Sequence, residues 1–482
     1  MSEGSQGRTI LRQVIETIGA QGSQKLVSFL GVILYVRLVS SNALGQYFLF
    51  VSVVNVAAFL GVIGINTHVE REIGRDSNNG TLLATTVAIL AGFVGVFSVV
   101  TLIAKPFVTD YFTVGAVPLL IAGVGLRSAT NLYGAVLRGQ KKAPIAQTLA
   151  SLERFLMFGF GVLLVASITQ LAAFRTLGIA YIGSMGIHLI LTLWFASVYP
   201  TSVPTLSAVQ SLLEKTKFIS VSQVYSQGQQ WVDTLLIGYF LGPAPVAIYE
   251  VAWRVSGTSA LVFNTLHNVL FPRLSEWVSQ EKPSELTRYA ADLYYYSLLP
   301  VYALLTGGAV TGDALLSLIY GTSYAAGWLP LVVLLFGRLF YTIERASSTL
   351  LFALDRERAV ARISVVGLAV NLGLNSLLIP TFGIIGAAIA TSTAFLVGGS
   401  LKRLVVGRHI SIDPLWHANG IAAVGAVVMS IVLLLSRRYL FEISGLLELG
   451  LFVAGGAVLY SSTLTAVDPR FRRRVLALPG RL

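Results

Sequence analysis

The sequence predicts an all-α polytopic membrane protein of about fourteen transmembrane helices, in two pseudo-symmetric six-helix lobes plus a C-terminal helix pair. Three observations predict it. Charged residues make up 12% of the 482-residue chain and hydrophobic ones 55%, with a mean hydropathy of +0.76. A soluble domain carries about 25% charged residues, roughly twice this share. Apolar runs such as Leu82–Ile103 reach the about 20 residues that cross a bilayer. Basic residues fall in every second gap between such runs, as cytoplasmic loops require.

Taken in order, the first lobe places spans near 19–39, 44–65, 81–103, 113–137, 145–167 and 177–199. The second places them near 218–241, 248–271, 289–311, 326–353, 359–379 and 384–404, and the extra pair lies near 415–436 and 441–466. The domains expected are an N-terminal lobe over 1–200, a cytoplasmic linker over 201–217, a C-terminal lobe over 218–405, and the helix pair with a basic tail over 406–482. Met1–Ile18 is polar and lacks the short apolar region of a cleaved signal, so the first span is expected to direct insertion.

Charge placement tests this count. With the N-terminus inside, 23 of the 34 Lys and Arg fall in inner segments and 7 within spans. Only Lys105, Arg175, Arg437 and Arg438 lie outside. The expectation is a multi-pass protein of the cell (plasma) membrane with both termini cytoplasmic. A net charge of +12 then reflects cytoplasmic loops and anionic lipid, not nucleic acid. The absence of cysteine excludes disulfides, thiolate zinc sites and a Cys nucleophile.

A weak repeat links the lobes. Aligning Tyr47 with Tyr249 also aligns Asn66 with Asn268 and Arg71 with Arg273. Leu177-Gly178-Ile179-Ala180 echoes Ile385-Gly386-Ala387-Ala388, and the turns GQKKA and DRERA precede the fifth and eleventh spans. Six spans per lobe make the repeat parallel, and such lobes place a substrate cavity at their interface and alternate access by rocking.

The stretch Asn371–Phe395, NLGLNSLLIPTFGIIGAAIATSTAF, together with LGQYFLF, GVIGI, LGPAPVAIYEVAWRVS, FPRLSEW and NLYGAVLRGQKKAPIA, resembles the oligosaccharide flippases of the multidrug/oligosaccharidyl-lipid/polysaccharide (MOP) exporter superfamily. The likeness runs over about 10–405. It implies a polysaccharide biosynthesis protein that moves a polyprenyl- or dolichyl-linked oligosaccharide from the cytoplasmic to the outer leaflet.

The intramembrane charges agree with that class. Ionisable groups at membrane depth cost roughly 3 kcal/mol each and usually face a cavity or a partner. Lys25, Arg37, Arg127, Arg154, Arg254 and Arg338 outnumber the acids Glu153, Asp233, Glu250 and Glu344, and arginine suits phosphate oxygens in a dry site. These six basic residues are the candidate phosphate contacts. Snorkelling of Arg37 and Arg254 at span ends, and a structural ion pair at Glu153 or Arg154, are the competing readings. A second set comprises Asp233, Asn371 with Asn375, and Ala387 with Thr391. Residues four apart share a helix face, and oxygen ligands suit a hard cation. The set resembles the sodium site of the lipid-linked peptidoglycan-precursor flippases, with Asn375 where that pattern favours a carboxylate. Interhelical amide hydrogen bonding is the alternative.

No catalytic residue, cofactor or metal is expected beyond Na+ or H+ as a coupling ion. The expected partners are membrane lipids, the lipid-linked oligosaccharide and glycan-assembly enzymes, and a monomer suffices. A cation-coupled multidrug extruder of the same superfamily would favour carboxylates in its cavity. A membrane-embedded glycosyltransferase would need a catalytic acid in an extended outer loop, whereas Asp110, Asp313 and Glu442 stand in short ones.

Overall fold

The computed structural model describes residues 27–62, 64–75, 79–112, 115–167, 172–196, 198–201, 205–216, 220–280, 283–410, 416–439 and 442–476. Among these residues all regular structure is helical, as expected, and nine helices are long and apolar enough to cross a membrane. The chain divides into two compact units, Leu26–Ala247 and Ile248–Leu482.

In the first unit, α1 (Val27–Leu38) and α2 (Ser41–Leu60) are separated by Ser40, whose hydroxyl accepts the Ala43 N–H at 3.3 Å. A side-chain oxygen there satisfies a donor that the first helical turn leaves open. Gly64, at φ 75°, turns the chain into the short α3 (Ile65–Arg75). Ile65, Val69 and Ile73 recur every four residues on α3 and pack on Leu132, Val136 and Leu137. α4 (Gly80–Ile103) starts at Asn79, which accepts the Leu82 N–H at 3.0 Å. Its Val96, Val99, Leu102 and Ile103 are exposed, a surface that only lipid can cover. Thr85, Thr86, Ser98 and Thr101 donate to carbonyls one turn earlier at 2.7–2.9 Å, so none of these hydroxyls needs water.

The short α5 (Lys105–Tyr111) leads to α6 (Ala116–Gly139), α7 (Ala143–Ser167) and α8 (Ala173–Phe195). Then come α9 (Leu206–Thr216) and α10 (Ser220–Leu241), which packs on α2. Gly45 and Gly161 mark close approaches. A Cβ at the first would strike the Pro243 carbonyl, and one at the second the Tyr35 hydroxyl.

The eighth expected span is broken: α11 (Pro243–Ser256) gives way to a 3-10 turn at Gly257–Ser259 before α12 (Ala260–Ser279). α13 (Pro283–Leu315) contains Pro300 and precedes α14 (Trp328–Ala353). The 51-residue stretch α15 (Glu357–Gly407) is two helices meeting at Gly383, at φ 61° and ψ −141°, so it supplies both the eleventh and twelfth expected spans. The second unit's core gathers Phe263, Leu293, Tyr294, Leu350 and Val360 from successive helices.

α16 (Trp416–Tyr439) and α17 (Leu446–Val467) dock on α13 through Leu299, Ala422, Ala426, Phe452 and Leu464. Polar links fasten the same faces. Arg437 meets both Asp313 oxygens at 2.8 and 2.7 Å, Tyr295 donates to Asp468, and Tyr460 donates to the Leu299 carbonyl at 3.1 Å. The amphipathic α18 (Pro469–Leu476) follows.

Only glycine tolerates the backbone at Gly383 without strain of about 1–3 kcal/mol. Gly383→Ala is therefore expected to lower thermal stability in detergent by that amount, while Gly373→Ala, where an added Cβ meets open space, is not.

Candidate functional site

The first unit gathers its intramembrane charges into one cluster on four helices. α6 carries Arg127, α7 Glu153, α8 Tyr181 and His188, and α2 Asn55. One guanidinium nitrogen, Arg127 NH2, lies 2.9 Å from Glu153 Oε1 and donates to the Tyr181 hydroxyl at 2.7 Å. NH1 reaches Glu153 Oε2 at 3.5 Å, and that same oxygen is paired with His188 Nδ1. The guanidinium also lies over the Tyr181 ring, 5.4 Å from its centroid. Asn55 Nδ2 donates to the Tyr181 hydroxyl at 3.2 Å. That oxygen accepts twice and keeps its own hydrogen to give.

Further along α7, Met157 anchors two aromatic residues. Tyr35 donates to its carbonyl at 2.6 Å and Tyr47 to its Sδ at 3.2 Å. The cluster is dry: side-chain exposure is 7% for Glu153 and 8% for His188, against 16% for Arg127. Arg127 Nε makes no hydrogen bond. Charge-assisted bonds of this kind are stronger in low dielectric than in water. The site can hold an anion at Arg127 or a proton near Glu153 and His188.

The other candidate phosphate contacts are dispersed. Lys25 lies outside the described residues. Arg37 is exposed at the end of α1, and Arg154 is exposed on α7. In the second unit Arg254 pairs with the buried Glu250 one turn earlier at 3.2 Å. Arg338 is buried, donating to Ser256 Oγ at 3.2 Å and to the Trp253 carbonyl at 3.4 Å. Its guanidinium lies between the rings of Trp253 and Tyr341, 4.1 and 5.1 Å from their centroids.

Of the candidate cation ligands, Asn371 and Thr391 meet across the Gly383 bend, with Nδ2 donating to Oγ1 at 2.9 Å. That contact is the interhelical amide hydrogen bond expected as the alternative to an ion site. Asn375 and Ala387 are fully buried in the same pair of helices. Asp233 is buried on α10, in the other unit. Among the described residues no three His, Cys, Asp or Glu gather as a metal site.

Three polar contacts were not visible in the sequence. His188, a lone histidine in an apolar span, is the partner of Glu153. Lys402, which sits beside Arg403 like a loop residue, is instead buried with Glu344 at 2.7 Å and donates to Ser364 Oγ at 3.1 Å. Arg437 and Asp313 are one ion pair. Complementary charge types in neighbouring spans were the available signal.

A family model described as "Polysaccharide biosynthesis protein" matches residues 34–328, well over half of the chain. The chain belongs to the polysaccharide biosynthesis protein family. Similar proteins in Haloferax volcanii are the "Probable low-salt glycan biosynthesis flippase Agl15", 24% identical over 465 residues and covering 96% of both chains, and the "Probable flippase AglR", 26% identical over 471 residues, with 95% of this chain and 96% of that one covered. Among solved structures, the lipid II flippase MurJ in an inward closed conformation superposes with a TM-score of 0.78 at 14% identity, over 96% of this chain and all of that one. An inward-facing MATE family multidrug transporter of the MOP superfamily gives 0.63 at 16% identity, over 80% and 94%. This polysaccharide biosynthesis family member thus shares its fold with the MurJ and MATE transporter structures.

Removing one partner of a buried ion pair costs about 3–5 kcal/mol, because the other charge is left uncompensated. Arg127→Ala is expected to destabilise by that order, and Arg127→Ala with Glu153→Gln by less than Arg127→Ala alone. Thermal unfolding in detergent of the wild type, both single variants and the double variant measures the coupling.

Proposed function

We propose that the protein is a flippase that carries a polyprenyl- or dolichyl-linked oligosaccharide across the cell membrane by alternating access, for cell-surface polysaccharide or glycoprotein assembly. The observation that carries this reading is the end-to-end similarity to two proteins named as flippases, over 95–96% of this chain. The cluster at Arg127 supports it, since a phosphate-linked sugar passing through a dry interior needs fixed positive donors. On this reading Arg127 is the foremost phosphate contact, with Arg338 and Arg254 as its counterparts in the second unit. The protein is a transporter and not an enzyme. It lies in the plasma membrane with both termini cytoplasmic, a placement supported by the basic residues of alternate loops. Glycan-assembly enzymes are its expected partners. Asn371, Asn375, Ala387 and Thr391 are the candidate coupling residues for Na+ in the second unit, and Asp233, the remaining candidate, belongs to the first.

The test is transbilayer movement of a fluorescent polyprenyl-diphosphate oligosaccharide in proteoliposomes. The wild type is expected to move the label to the opposite leaflet. Arg127→Ala should slow it by at least about tenfold, the loss of one charge-assisted hydrogen bond of about 1.5–3 kcal/mol. Asn371→Ala should abolish any response to a sodium gradient. Vesicles that leave the label in place yet exchange an organic cation for protons or sodium would make the protein a multidrug extruder instead.

A further inference from the structure

The carboxylate of Glu153 is divided between two bases. Oε1 faces Arg127 at 2.9 Å, and Oε2 is paired with His188 Nδ1. With a neutral imidazole the three groups sum to zero charge, which is what burial in an apolar span demands. That balance is tied to the arginine. Both terminal nitrogens of Arg127 are already engaged by Glu153 and Tyr181, and only Nε makes no hydrogen bond. A bidentate grip needs two parallel guanidinium donors, and a phosphate that takes the edge formed by the two terminal nitrogens displaces the Glu153 carboxylate now seated there.

Once displaced, Glu153 would be a buried anion with an imidazole as its nearest base and a second anion close by. Two like charges in one dry site are not both kept; the site takes a proton. We propose that Glu153 and His188 form a proton-binding site controlled by Arg127. A phosphate-bearing ligand expels the carboxylate from the guanidinium, and the pair takes up one proton from water. The inference rests on the reading that Arg127 meets the substrate's phosphate, and it makes that contact the point where proton and substrate movement are joined.

Among the described residues, the titratable and charged groups facing the pair are Arg127 from α6 and Tyr181 from α8, with Tyr47 from α2 and Tyr35 from α1 a turn away at Met157. Arg154 lies on the exposed side of α7. The exchange is assigned to the Glu153–His188 pair, whose side chains are in direct contact. The bound state holds one more proton than the free state. Affinity therefore falls as pH rises, by up to about tenfold per pH unit.

The test is calorimetric titration of the full-length protein in lipid nanodiscs with farnesyl diphosphate, in two buffers of different ionisation enthalpy. At about pH 8, above the second phosphate pKa of about 6, the ligand contributes little to the proton count. The wild type is expected to take up close to one proton per ligand. Glu153→Gln, whose neutral amide needs no proton when displaced, is expected to take up none and to bind at least as tightly. Binding by the wild type without proton uptake overturns the proposal alone, as does uptake that persists in Glu153→Gln. A wild type that does not bind farnesyl diphosphate at any pH overturns it together with the phosphate reading. The wild-type proton number stands even if the variant misfolds.

Discussion

Away from any water-filled cavity, a charge or hydroxyl on a spanning helix must bring or meet its own partner. The hydroxyls of α4 turn back onto their own helix, which costs no neighbour and leaves its outer face to lipid. Charges cannot do this. Lys402 is tolerated at 2% exposure because Glu344, equally buried, lies 2.7 Å away. Arg127 is tolerated because three neighbouring helices converge on it. The ion pairs thus dictate which helices sit side by side, and the apolar packing fills in around them.

That rule also explains what the sequence disclosed and what it hid. The spans were legible, since apolar length and basic loops need no knowledge of neighbours. The break between α11 and α12 was not, because Gly257, Thr258 and Ser259 look unexceptional in an apolar run. α3 escaped notice as a helix: a search for apolar runs passes over a polar segment, although Ile65, Val69 and Ile73 stand four apart. Arg127 and Glu153 could be picked out as charges at depth. Their mutual pairing, and the part played by His188, depend on side chains 26 and 35 residues from Glu153. Lys402 misled for the opposite reason, its basic neighbours making it resemble a loop residue.

Shared architecture does not decide function here. A lipid II flippase and a multidrug transporter both superpose on this chain, and one scaffold commonly hosts different cargoes. The distinguishing features are local: which helices carry arginine at depth, and what each arginine is bound to. Arg338, wedged between Trp253 and Tyr341, and Arg127, balanced against Glu153, are held quite differently. A cation pressed on aromatic faces keeps its position by dispersion and quadrupole attraction, whereas one paired with a carboxylate can trade that partner for another anion.

The double fastening of the C-terminal helices has a mechanical consequence. Arg437 grips α13 at Asp313 and Asp468 grips it at Tyr295, on either side of Pro300. A proline removes one backbone hydrogen bond and makes a natural flexing point. Here α16 and α17 lie along it like a splint, tied above and below the weak joint. The proline-bearing α13 thus becomes a stiff strut. A probe attached to α17 would then move in step with α13.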